Sequence, residues 1–78
     1  MMVRTLDVQS IKARLRGARA SLQITQREAA ARAGISKSVV EKYEARDNDR
    51  IPNTRQLFRL ASVYGRSIDF LLARTDEI

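Results

Sequence analysis

Apolar residues recur along this chain at the three-to-four-residue spacing of amphipathic helices, and apolar and polar residues alternate nowhere for long enough to predict strands. The first such stripe consists of Ile11, Leu15, Ala18 and Leu22. It predicts a helix from Val8 to about Leu22, for which Asp7 is a suitable N-cap.

Two shorter helical patterns then follow each other closely. Thr25 and Glu28 have the spacing of a capping box, in which a hydroxyl and a carboxylate each accept from a free N–H group at a helix start. The helix that they open stops at Gly34, since glycine tolerates the left-handed conformation of a helix end. Ser36 is then the cap of a third helix. The connection is too short for antiparallel helices, so the pair should cross steeply as a helix-turn-helix over about residues 26–44.

A loop and two more helices complete the pattern. Residues 45–53 are rich in Asp, Asn and Arg and contain the only proline, which is the chemistry of a turn. Asn53 or Thr54 caps a fourth helix that ends at Gly65, and Ser67 caps a short fifth helix. The inward-facing positions predict a core of Ile11, Leu15, Leu22, Ala30, Ile35, Val40, Tyr43, Leu57, Leu60, Ala61, Tyr64, Ile68 and Leu71. The predicted fold class is therefore all-α, a compact five-helix arrangement.

Length and composition exclude several classes of protein. A chain of 78 residues is expected to form one domain over residues 1–78. It has no cysteine and no histidine, which removes disulfides, thiolate zinc sites and the residue best suited to proton transfer at neutral pH. Neither an activated nucleophile nor a phosphate-cradling glycine loop is visible, so we expect no enzyme activity, metal or cofactor. No segment has the roughly 20 apolar residues needed to span a bilayer, which predicts a cytoplasmic protein without a membrane partner.

Positive charge is concentrated in the first part of the chain. The net charge is +6, and residues 1–46 hold ten basic and four acidic residues, whereas residues 47–78 hold five of each. A basic surface favours a polyanion partner, although a solvated surface can carry the same charge with no partner at all. The charge therefore supports a polyanion partner but does not identify one.

The intervals within the two-helix corner are the most specific signal in the chain. A glutamine opens the second helix, a small residue lies on its inner face, a glycine turns the corner, an aliphatic residue locks the third helix and a glutamate closes it: Gln26, Ala30, Gly34, Val40 and Glu44. With these residues, the segment from Leu15 to Leu72 resembles the Cro and repressor-type helix-turn-helix domain, the xenobiotic-response-element family of bacterial and phage regulators. The resemblance implies a repressor-like DNA-binding domain, acting as a sequence-specific transcription regulator on double-stranded DNA.

Two departures from the family pattern are visible. The connection from Glu44 to Pro52 is longer than usual and lacks the glycine that commonly follows the glutamate. Ala29 also occupies a position where the family commonly has leucine. The path of the loop is therefore not given by the resemblance. Packing between the second helix and the rest is expected to be thinner, or to be filled by Tyr43 or Tyr64.

The resemblance implies a role for several polar residues, although each of them could also be an ordinary surface residue. The third helix would place base-contacting side chains in the major groove, with Lys37 and Ser38 the best candidates among Ser36, Lys37, Ser38, Glu41 and Lys42. Phosphates would be contacted by helix starts and loop arginines, namely Gln26, Arg46, Arg50, Asn53, Thr54 and Arg55. Arg19 and Glu44 would form a structural ion pair and would not contact DNA.

A homodimer is expected, because one small domain contacts only a few base pairs and a twofold dimer can occupy a palindromic operator. Phe70, Leu72 and Ile78 are the apolar residues left after the core is filled, and we place the dimer contact there. An alternative function is that of an antitoxin-type protein, which binds a protein partner and regulates its own gene through DNA. In either case the chain would be a stand-alone regulator or the DNA-binding part of a longer one.

Overall fold

The computed structural model describes residues 6–77, which form five helices and, over that range, no strand. The helices are α1 (Val8–Ser21), α2 (Gln26–Ala33), α3 (Lys37–Glu44), α4 (Thr54–Tyr64) and α5 (Ile68–Leu71). The predicted all-α fold class is therefore confirmed. None of the helices in the described range has the length and apolar character that a bilayer crossing requires.

Local hydrogen bonds explain where the helices begin and end. Thr25 Oγ1 accepts from the Glu28 amide at 3.0 Å, and Glu28 Oε1 accepts from the Thr25 amide at 2.9 Å, so the capping box is complete. Hydrogen bonds with Thr25 lower the pKa of Glu28, the one from the Thr25 backbone more than the one with its side chain. Glu28 therefore keeps a negative charge at the positive end of α2. Gly34 ends α2 in the left-handed conformation, with φ of 71°. The other four helices start at side-chain caps from Asp7, Ser36, Asn53 and Ser67.

The core lies where all five helices meet. α2 packs against α3 and α4, α1 packs against α3 and α5, and α4 packs against α5. The buried apolar residues are Ile11, Leu15, Ala18, Ile24, Ala29, Ala30, Ala33, Val40, Tyr43, Leu57, Leu60, Ala61, Tyr64 and Leu71. Of the predicted core, Ile35 and Ile68 are half-buried and pack against this cluster. Both tyrosines are core residues, and Ala29 is fully buried, so the small residue on α2 lies in close packing.

The prediction that Leu22 belongs to the core was wrong. Its side chain is 41% exposed, because α1 ends at Ser21 and the helical stripe does not continue through this residue. Gln23 takes a positive φ of 57°, which turns the chain and brings Ile24 inward instead. Ile24 is 8% exposed and supplies the aliphatic side chain that the pattern had assigned to Leu22.

Candidate nucleic-acid interface

The outward face of α3 and the N-cap that precedes it carry every residue predicted to contact bases. Ser36, Lys37, Ser38, Glu41 and Lys42 are all exposed, while Val40 and Tyr43 anchor the opposite face in the core. Lys37 Nζ lies 3.4 Å from Glu41 Oε1, and both side chains are nearly half exposed. An exposed pair of this kind contributes little to stability, so Lys37 can exchange Glu41 for a base edge at small cost.

The two serines at the start of α3 have different roles in the free protein. Ser36 Oγ accepts from the Val39 amide at 3.2 Å and thereby caps the helix. The hydroxyl of Ser38 lies 3.2 Å from the hydroxyl of Ser36 and is exposed. Because Ser36 already fixes the helix start, Lys37 and Ser38 are the stronger candidates for base contacts.

A cleft of about 620 Å³ separates the start of α3 from the start of α4. Ser36 lines one side, and the phosphate candidates Asn53, Thr54 and Arg55 line the other. Asn53 Oδ1 accepts from the Gln56 amide at 2.9 Å, so its carbonyl oxygen also caps α4.

Arg59 adds a second cation to this cleft and was not singled out in the sequence. It lies four residues after Arg55 on α4, so the two arginines share one helix face. That spacing is the sequence signal that could have identified it.

The remaining phosphate candidates lie at the other end of α3. Gln26 Nε2 donates to Glu44 Oε1 at 3.1 Å, which places the start of α2 beside the last residue of α3. Arg46 and Arg50 are exposed in the loop that follows. The exposed face of α3 therefore has polar and cationic groups beyond both of its ends, as a helix needs when phosphate contacts fix its register in a groove.

Arg19 and Glu44 are in bidentate contact. Arg19 Nε lies 2.8 Å from Glu44 Oε2, and Arg19 Nη2 lies 2.9 Å from Glu44 Oε1. Glu44 is 4% exposed, and its hydrogen bond raises the pKa of Arg19. Burial raises the pKa of the neighbouring Tyr64 to about 12, so this tyrosine stays neutral beside the pair. The contact ties α1 to the end of α3, away from the exposed face.

Some of the positive charge predicted for a polyanion is used within the molecule. Arg14 Nη1 donates to the Phe70 carbonyl at 3.3 Å, and Arg14 Nη2 lies 2.7 Å from Asp76 Oδ1. The Arg14 guanidinium also lies 4.3 Å from the centroid of the Phe70 ring. Phe70 and Leu72, the predicted dimer contacts, are half-buried against the core, and Ile78 lies outside the described residues.

A comparison of the chain with models of known protein families gives a match, and it covers this interface. A family model described as helix-turn-helix matches residues 15–71. The matched segment contains α2, α3, α4 and the cleft between the last two, together with Arg19 and Glu44. Among curated proteins, none matches this chain.

Proposed function

Because the chain belongs to the Cro/C1-type helix-turn-helix family and is a DNA-binding transcription regulator, we propose that it is a repressor that occupies a palindromic operator as a homodimer. The observation that carries the proposal is the exposed polar face of α3, with polar clusters beyond both of its ends. The major groove of B-DNA admits an α-helix and displays a different donor and acceptor pattern for each base pair. Occupying the operator is sufficient for repression, because two proteins cannot bind the same site at once. Duplex DNA as the ligand also favours a cytoplasmic location.

The dimer is proposed because a single copy of α3 contacts only a few base pairs. Two copies related by a twofold axis would place their recognition helices about 34 Å apart, in successive major grooves. The α5 face, where Phe70 and Leu72 are half-buried, is the proposed contact.

Selection of bound sites from a random duplex pool tests both parts of the proposal. We expect an enriched motif with twofold symmetry and half-sites centred about 10 base pairs apart. A single asymmetric half-site would contradict the dimer, and the absence of any enriched motif would contradict sequence-specific binding.

Replacing Lys37 should affect specificity more than general affinity. Lys37→Ala is expected to weaken binding to the selected operator by about 1–3 kcal/mol and to relax the preference at one base position. Arg55→Ala removes the same charge from the phosphate cluster, so it should weaken all sequences similarly, and Gln26→Ala should do likewise. Gel shifts with every single-base variant of the operator separate the two patterns. Full base discrimination in Lys37→Ala would show that the assignment of Lys37 is wrong.

A second function, antitoxin-type binding of a protein partner, is favoured by one surface. A groove of about 440 Å³ lies between α2 and α4 and is lined by Phe58, Val63 and Ser62 among others. Phe58 is 63% exposed and lines this groove together with Val63, so an apolar side chain of a partner could pack against it. Stoichiometric copurification with the product of an adjacent gene, lost in Phe58→Ser while operator binding persists, would support this second function.

A further inference from the structure

The C-terminal end of α3 is held by two cations from α1. The last carbonyl groups of a helix have no partner within the helix and must find one elsewhere. Lys12 Nζ donates to the carbonyl of Lys42 at 2.7 Å, and the carbonyl of Tyr43, 3.4 Å away, can only share one of its three N–H groups. Arg16 Nη1 donates to the carbonyl of Glu44 at 2.7 Å. Side chains of another helix therefore satisfy the carbonyls of the last three residues of α3.

This arrangement replaces the glycine that commonly ends a helix. Ala45 follows α3 in an extended conformation, with φ of −70° and ψ of 142°, and its amide donates to the Glu41 carbonyl at 2.9 Å. Lys12, Arg16 and Arg19 recur at i, i+4 and i+7, so all three lie on one face of α1. Positive charges at this position also interact favourably with the negative end of the helix dipole.

Lys12 holds the loop after α3 as well. Its side chain is fully buried, and Nζ also donates to Asn48 Oδ1 at 2.8 Å and to the Arg50 carbonyl at 2.6 Å. Asn48 Oδ1 in turn accepts from the Arg50 amide at 2.9 Å. A buried ammonium is costly unless its donors are satisfied, so these bonds impose one geometry on the loop. Burial lowers the pKa of Lys12, and the charges of Asp47 and Asp49 oppose this shift.

We propose that Lys12 is a positioning residue for DNA recognition. Its ammonium is enclosed by the end of α3 and the following loop, so it cannot reach DNA and must act through other residues. By fixing the end of α3, it sets the position from which Lys37 meets a base. By fixing the loop, it sets the position from which Arg50 meets a phosphate. This inference rests on the proposed function.

The test compares two variants with the same change in charge. Lys12→Met keeps an unbranched apolar stem and removes the ammonium, whereas Arg32→Met removes a charge from an exposed position of α2. The quantity measured is the ratio of Kd for a mixed-sequence duplex to Kd for the selected operator, well below the Tm of each variant. We expect this ratio to fall about tenfold in Lys12→Met and to change by less than about twofold in Arg32→Met. A residue with a purely structural role would lower Tm without changing the ratio.

If Lys12→Met does not fold, the same Kd ratio is measured for Asn48→Ala. It leaves the ammonium its three carbonyl partners and removes the side-chain link to Arg50, so we expect a fall of about threefold in the ratio. Arg50→Ala should also weaken binding less in the Asn48→Ala background than in the wild type, because the arginine is already displaced. The inference would be overturned if the folded variants kept the wild-type Kd ratio and if the effects of Asn48→Ala and Arg50→Ala on binding were additive. A wild-type protein without preference for any duplex would instead overturn the proposed function.

Discussion

Raising the NaCl concentration from about 50 to about 200 mM should weaken operator binding by about a thousandfold. Each phosphate neutralised by a cation releases counterions, so the logarithm of the binding constant falls with the logarithm of salt concentration by about 0.9 per phosphate. Arg46, Arg50 and Arg55 are exposed in each protomer and would neutralise about six phosphates in a dimer, which gives a slope of about −5. Fluorescence anisotropy of labelled operator over a salt series measures this slope.

Charge-matched variants identify the source of the salt dependence. Arg55→Ala should make the slope shallower by about two for the dimer, because one phosphate contact is lost in each protomer. Arg32→Met should leave the slope unchanged, since Arg32 lies on the last turn of α2 and not in either polar cluster that flanks the exposed face of α3. A slope shallower than about −2 in the wild type would contradict the phosphate assignments.

Replacing Arg19 with alanine should lower the free energy of unfolding by about 3–5 kcal/mol. The substitution leaves the Glu44 carboxylate, which is 4% exposed, without the guanidinium that compensates its burial. It also removes the donor to the Ile24 carbonyl, which Arg19 Nη1 contacts at 2.9 Å. For a domain of this size the change corresponds to a fall in Tm of about 12–40 °C, measured by circular dichroism.

The double variant Arg19→Met with Glu44→Met provides the control. Removing both charges avoids an unpaired buried carboxylate, so we expect most of the lost Tm to return. Arg32→Ala, an exposed substitution, should change Tm by only a few degrees. An unchanged melting curve in Arg19→Ala together with lost DNA binding would instead assign Arg19 to a phosphate contact.

The starts and ends of the helices could be predicted from the sequence, because the signals that determine them are local. Thr25 and Glu28 bond to each other within one turn, and Gly34 ends α2 through its own backbone freedom. The error at Leu22 shows the limit of such signals. A helical stripe shows which face is apolar, but only the turn at Gln23 decides that Ile24 enters the core in place of Leu22.

The tertiary structure alone decided what lies beside the start of α3 and how its C-terminal end is held. Ser36 faces Asn53 and Arg55 across a cleft only because α3 and α4 both pack against α2, which brings their starts to the same side of the molecule. Lys12 looks like a solvated lysine in the sequence, yet it is buried against Lys42 and Arg50, which lie 30 and 38 residues away. Its partners there are backbone carbonyls, which every residue has, so no residue type in the sequence marks them. Helices and caps depend on neighbours within a few residues, whereas the support of α3 depends on how distant helices pack, and only the folded chain shows it.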